Sequence, residues 1–223
     1  MNGIFDAGCR RCPRLAAFLD AVRMEEPDYY CRPVPPFGDP QAKLLIVGLA
    51  PGKHGANRSG RPFTGDYAGI LLYATLHKFG LASAPVSVDT HDGLKLELAR
   101  ITNAVKCLPP ANKPLPAEIR ECNAYLRAEL EQSPGVRAIL ALGVIAHAAV
   151  LQACDLPLSR HRFAHGAEHR LSADRVMVDS YHCSRYNTQT RRLTPDMFEA
   201  VVRRGRELAL APQRTHEQRS HAV

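Results

Sequence analysis

The chain has 223 residues, carries 29 basic against 22 acidic side chains for a net charge of +7, and is 45% apolar. That is enough for one full α/β domain, or at most two small ones, around an ordinary globular core. No apolar run approaches the roughly 18 residues of a membrane span, the N-terminal MNGIFDAGCRRCPR has no apolar signal-peptide stretch, and the seven cysteines do not suit a disulfide framework in a reducing compartment. An intracellular, cytoplasmic protein is therefore expected. Its basic excess favours a polyanionic partner, and arginines cluster at 58–61, 160–162, 185–192 and 203–206, so nucleic acid leads.

In chain order, residues 14–25 (RLAAFLDAVRME) have helical periodicity, and the apolar run at 43–49 reads as the first buried strand. Asp66 opens a second helical stretch, DYAGILLYATLHKFG, which Gly80 ends. ARITNAVK, 99–106, reads as a strand. CLPPANKPLP is a proline-rich loop feeding a helix over about 116–132. VRAILALG, 136–143, is a third strand and VIAHAAVLQAC a helix. The segment 159–170, with many His and Arg residues, reads as a loop before the fourth strand, VMVDSY, 176–181. Residues 195–210 form the last helix. One domain is expected over 1–212, with 213–223 a polar, disordered tail. Strands alternating with helices imply a mostly parallel sheet with right-handed crossovers. The expected architecture is α/β: a single three-layer α/β/α domain around a mostly parallel four-stranded sheet.

The loop GLAPGKHGANRSGRPFTGD, 48–66, leaves the first strand. Its five glycines, Gly48, Gly52, Gly55, Gly60 and Gly65, let a backbone press close to a flat or anionic ligand. A structured loop outside a strand's carboxyl end is where open α/β sheets place their chemistry. This one offers an aromatic face (Phe63), a carboxylate (Asp66) and two cations (Arg58, Arg61), a set that suits a flat polar ring on a phosphate backbone. A second segment, SYHCSRYNTQT at 180–190, puts His182 at a strand end. Four of the cysteines form two pairs. Cys9 and Cys12 make a CxxC, and Cys107 and Cys122 flank the proline-rich loop. Thiolates at such spacing bind soft metal centres, while a lone CxxC also fits a redox pair or half a zinc site.

These features carry a resemblance. The 48–66 loop resembles the first motif of the uracil-DNA glycosylase superfamily in its family 5 form, the iron–sulfur branch called type B. SYHCSRYNTQT resembles that branch's second motif, a His-x-Ser segment followed by a DNA-wedging loop. The cysteine placement is similar as well, and the matches run from Cys9 to about Thr194. The resemblance implies the superfamily's three-layer fold, a [4Fe-4S] cluster on Cys9, Cys12, Cys107 and Cys122, and DNA containing uracil or another deaminated base as partner. A monomer with no membrane partner is expected.

It also implies roles. A glycosylase takes the base out of the stack, holds it and breaks the C1′–N bond. Asp66 would act on the sugar side, orienting water or stabilising the cation, because Leu49 and Ala50 stand where other branches use a polar residue. A plainer reading makes Asp66 the N-cap of the next helix. His182 would donate a hydrogen bond to a base carbonyl, ahead of His147 and His165. Phe63 would stack on the base, or simply anchor the loop in the core. Backbone N–H groups from Ala50 to Gly52 would help hold the base. Asn103 resembles the uracil-reading Asn of family 4 and Asn112 an Asn of family 5 sites. An amide at 103 suits the O4/N3–H edge of uracil and would narrow an otherwise broad choice that includes hypoxanthine. Arg185 and Tyr186 would wedge into the duplex. Arg58, Arg61, Arg191 and Arg192 are phosphate candidates. Of the remaining cysteines, Cys154 reads as a core residue, Cys183 as a substitution beside His182 where a reactive thiol is conceivable, and Cys31 is unassigned.

The reading is a monofunctional glycosylase in base excision repair. Its rivals are a uracil-restricted, family 4-like enzyme and an iron–sulfur module that binds damaged DNA with little catalysis.

Overall fold

The computed structural model describes residues 5–212. Helix α1 (Pro13–Glu25) is followed by strands β1 (Phe37–Gly38) and β2 (Leu44–Gly48). A one-turn α2 (Ala56–Ser59) interrupts the glycine-rich loop before α3 (Tyr67–Lys78). The order continues β3 (Ala99–Asn103), α4 (Pro116–Glu131), β4 (Ala138–Leu142), α5 (Val144–Ala153), β5 (Glu168–Arg170), β6 (Val176–Ser180), α6 (Arg185–Gln189) and α7 (Pro195–Leu210). The expected tail at 213–223 lies outside the described residues. Among those residues no helix is long and apolar enough to cross a membrane.

The sheet runs β1-β3-β2-β4-β6-β5. Its inner four strands are parallel, and an antiparallel strand closes each edge. The sheet therefore has six strands rather than the expected four. The additions are two and three residues long, too short for an apolar alternation to be seen in the sequence. The β3 strand also stops at Asn103, short of the expected 106.

Helices cover both faces, which is why β2 reads LLIVG with no alternation. Leu44 and Ile46 pack with α3 and α7 through Leu72, Leu76, Phe198 and Val202. Leu45 and Val47 pack on the other face with α4 and α5 through Leu126, Ala146 and Val150. This gives the three layers.

Parallel register brings the motif ends together. Gly48 pairs with Asn103 across β2 and β3, and Leu142 with Ser180 across β4 and β6. The loops that follow leave from one carboxyl edge.

The far side of β6 is locked by a buried network. Asp179 accepts from the His147 ring at 2.8 Å and from His169 Nε2 at 2.9 Å, and His147 Nε2 lies 2.9 Å from the His161 carbonyl. His147 thus has a structural task. His165 accepts from the Tyr181 N–H at 3.2 Å and stacks on that ring, with Arg192 also placed over it at 4.6 Å.

Candidate active site

One pocket at the carboxyl edge is lined by Leu49, Ala50, Gly52, Phe63, Asp66, Tyr67, Ala68, Asn103, Asn112, His182, Ser184 and Arg185. Eight of these were expected from sequence, from loops far apart in the chain.

Asp66 occupies the N-cap position of α3, with extended φ/ψ, but makes no side-chain capping bond. Its carboxylate turns away from the helix and accepts from the Ala56 N–H at 3.2 Å. A Cβ at Gly55 would overlap that carboxylate, and one at Gly52 would crowd it. Two of the loop's glycines therefore clear room for one acid. Burial raises the Asp66 pKa above its ordinary 3.8, against the opposing pull of the Ala56 N–H and the Arg58 charge. The capping reading falls, because the carboxylate is spent elsewhere.

His182 follows β6. Its backbone carbonyl accepts from Asn187 Nδ2 at 2.8 Å, while no ring nitrogen of His182 is hydrogen-bonded within the described residues. Burial holds its pKa down, at about 4, so the ring is neutral at physiological pH with one N–H to give. The Phe63 ring lies 6.0 Å from it, centroid to centroid, at 26°. Phe63 is buried at 6% exposure and has a φ of 58°, so it sits in the left-handed region that side chains seldom adopt.

Asn103 is 3% exposed, and its Oδ1 has no hydrogen-bond partner. A buried, unpaired amide oxygen costs roughly 1–3 kcal/mol, so a ligand donor at that point would be strongly preferred. A Cβ at Gly48 would collide with this oxygen and with the Phe63 ring. Asn112, by contrast, is exposed at the rim, with φ of 55°.

Arg58, Arg185, Arg191 and Arg192 are exposed and Tyr186 is 70% exposed, and of these Arg185 lines the pocket. Arg61 departs from expectation. It is 5% exposed, pairs with Asp92 at 2.8 Å, bonds Ser87 Oγ at 2.9 Å and lies 4.4 Å from the Phe37 ring centroid. It holds the glycine-rich loop to the 87–92 segment and cannot reach a phosphate. Cys183 is fully buried in the core, and burial pushes its thiol up to about 12, which suits the reading as a substitution rather than as a reactive thiol. Sequence reading missed Tyr67, Ala68 and Ser184 in the pocket. Tyr67 directly follows Asp66 and was read only as helix.

The four paired cysteines gather elsewhere. Cys9 and Cys12 precede α1, Cys107 follows β3 and Cys122 lies on α4, yet all four line one cavity with Leu15, Val105 and Tyr125. Burial pushes Cys12 up to about 11 and Cys107 up to about 12, and neighbouring thiols push each further in the same direction. Burial also raises Cys122. Burial acts the same way on Cys9, but hydrogen bonds from Tyr125 and Arg11 outweigh it and lower that thiol. Four thiols around one cavity are a donor set for a soft metal centre, a single zinc ion or an iron–sulfur cluster alike. Of the others, Cys31 is buried and accepts from Asn57 Nδ2 at 3.4 Å, and Cys154 packs against the α4–α5 core.

The sequence profile of the Uracil DNA glycosylase superfamily matches residues 35–204. The type-5 uracil-DNA glycosylase of Thermus thermophilus is 48% identical over 206 residues, covering 90% of this chain and 94% of that protein. The type-5 uracil-DNA glycosylase of Mycobacterium bovis is 44% identical, covering 90% of this chain and 78% of its own. A type-4 uracil-DNA glycosylase of Archaeoglobus fulgidus is 36% identical over a shorter span, 55% of this chain and 54% of that protein.

Proposed function

The chain belongs to the uracil DNA glycosylase superfamily, among the type-5 enzymes, and we infer from that membership that it is a DNA glycosylase excising uracil in DNA repair. The observation that carries the chemistry is the gathering of Asp66, Phe63, Asn103 and His182 in one pocket.

In this reading the flipped nucleotide enters with its base against Phe63. The Asn103 amide meets its Watson–Crick edge, Oδ1 accepting from N3–H and Nδ2 donating to O4. As the C1′–N bond lengthens, its electron pair moves onto the base, and neutral His182 donates a hydrogen bond to the carbonyl oxygen where charge grows. The sugar becomes oxocarbenium-like. The Asp66 carboxylate faces that positive charge and holds the attacking water, whose oxygen bonds to C1′ while its proton passes to solvent; the departing base anion takes up a proton in turn. No lysine lines the pocket: Lys53 pairs with Glu25 at 2.7 Å and Lys106 with Glu129 at 2.6 Å. The product is an abasic site on an uncut strand.

The substrate class extends to other deaminated bases. Hypoxanthine presents N1–H beside O6, the same donor–acceptor pair as N3–H beside O4 in uracil, so an amide at 103 does not by itself separate them. Asn112 at the rim is left for contacts outside the reading edge. Tyr186 and Arg185 fill the gap left in the duplex, and Arg58, Arg191 and Arg192 meet phosphates.

Cys9, Cys12, Cys107 and Cys122 would hold a [4Fe-4S] cluster. Its task is structural: it fastens the N-terminal segment to the β3–α4 connection, coupling metal binding to folding.

The test is a panel of labelled duplexes with uracil opposite guanine, uracil opposite adenine, hypoxanthine opposite thymine, and no damage. Scission of the uracil and hypoxanthine strands only after hot alkali supports a broad monofunctional enzyme. Scission of uracil alone would restrict Asn103 to uracil. Tight binding without scission would make the protein a damage-binding module.

A further inference from the structure

Tyr67 is an aromatic side chain of the catalytic pocket to which the motifs give no role. It is the first residue of α3, directly after Asp66, and is 39% exposed. The Arg185 guanidinium lies over its ring, 5.0 Å from the centroid, and its hydroxyl lies 3.4 Å from Thr188 Oγ1. Both partners belong to α6, the helix that carries the wedge.

That helix has five residues, too few to persist without tertiary support. At its root, Asn187 Nδ2 donates to the His182 carbonyl at 2.8 Å and the Ser184 hydroxyl caps the Asn187 N–H at 3.4 Å, and the N–H of the core residue Leu193 bonds back to the Asn187 carbonyl at 3.0 Å. At its outer side, Arg185 and Thr188 meet Tyr67. Arg185 is exposed and has no carboxylate partner within the described residues, so without the Tyr67 ring its long side chain would be free to rotate. Fixing such a side chain only on contact with DNA would cost rotamer entropy at the moment of base extrusion.

We propose that Tyr67 is a positioning residue for the wedge. It holds Arg185 over the pocket mouth in advance, linking the helix that starts at Asp66 to the helix that enters the duplex. The proposal rests on the reading of Arg185 as part of the wedge. It predicts a selective effect, because a wedge matters only where a base must be taken out of a stacked duplex.

The test measures kcat/KM on one uracil-containing sequence, as duplex and as single strand, and reads the ratio of the two. For Tyr67→Ala the duplex-to-single-strand ratio should fall roughly two- to fivefold, the scale of an exposed cation–π contact. Tyr67→Phe keeps the ring and should restore the ratio. Arg185→Ala should lower it at least as far, and the double substitution no further than Arg185→Ala alone. If Arg185→Ala leaves the ratio unchanged, the wedge reading itself fails. If Arg185→Ala lowers it but Tyr67→Ala does not, or if the two effects multiply in the double substitution, Tyr67 does not act through Arg185. A rise in the ratio for Tyr67→Ala would mean that Tyr67 restrains Arg185, and would overturn the proposal.

Discussion

Phe63 and His182 face each other with their ring centroids 6.0 Å apart and their planes at 26°. A base stacked between two rings needs about twice a carbon contact distance of roughly 3.5–4.0 Å, more than this gap allows. The two rings therefore divide the work, Phe63 offering a face and His182 an edge. Both come from loops that meet only because β2 and β6 end on the same side of the sheet.

Loss of the aromatic face should weaken substrate capture. Base stacking on an aromatic contributes about 1–3 kcal/mol, so Phe63→Leu should lower kcat/KM on uracil duplex roughly 5- to 150-fold. A melting curve close to the parent's would assign the loss to stacking. A collapse of the fold would instead return Phe63 to its plainer role as a loop anchor.

Asp66→Asn should lower excision by roughly a hundredfold or more, the usual scale for removing one electrostatic contact to a transition state, while keeping DNA binding. It should also stabilise the protein at neutral pH. Burial raises the folded-state pKa above 3.8, so the charged form opposes folding, a cost that grows as pH rises above 3.8 and is complete above the folded pKa. Below 3.8 both states are protonated and the difference vanishes. Melting temperatures of parent and variant should converge as pH falls. Unchanged turnover would remove Asp66 from the chemistry.

His182 should stay neutral throughout the working range, since its pKa is held at about 4. The rate should accordingly show no inflection near 6.5 on account of this residue, and the imidazole NMR signals should titrate far below that value. The same depression means that acid weakens the fold, because the unfolded state takes up a proton near 6.5 that the folded state refuses until about 4. A His182 titration near 6.5 would contradict this.

Arg61→Ala should act on stability and spare the salt dependence of DNA binding. Breaking a buried ion pair costs about 3–5 kcal/mol. Burial opposes ionisation of Asp92, but its bonds from Arg61, Leu94 and Val88 prevail and hold its pKa at about 2. That stabilisation is complete above 3.8 and fades as pH falls through about 2. Arg191→Ala, an exposed cation, should instead flatten the slope of log affinity against log salt. A flattened slope for Arg61→Ala would restore it to the phosphate contacts.

Protein purified under anaerobic conditions should contain four irons per chain with a broad visible absorbance. Cys107→Ser should lose both and melt at lower temperature, because the three thiols left, Cys9, Cys12 and Cys122, would lose the centre that fastens the N-terminal segment to the β3–α4 connection. One zinc per chain and a colourless protein would overturn the cluster assignment.

The amino-acid sequence alone determined the inner strands, the long helices and the residues of the two motifs. Each of these is written locally, in apolar periodicity, in glycines around an acid, or in cysteine spacing. The edge strands Phe37–Gly38 and Glu168–Arg170 escaped because two or three residues have no period to display. Tertiary structure decided what depends on a distant partner. Arg61 became a buried anchor because Asp92 lies beside it. Asp66 was released from capping because Ala56 presents its N–H. Asn103 went to the pocket floor and Asn112 to the rim because β3 pairs with β2 and ends at the former. Tyr67 acquired a partner only when α6 folded over it. Burial and charge pairing are set by which segments meet in space, and a linear chain states its residue types without stating those meetings.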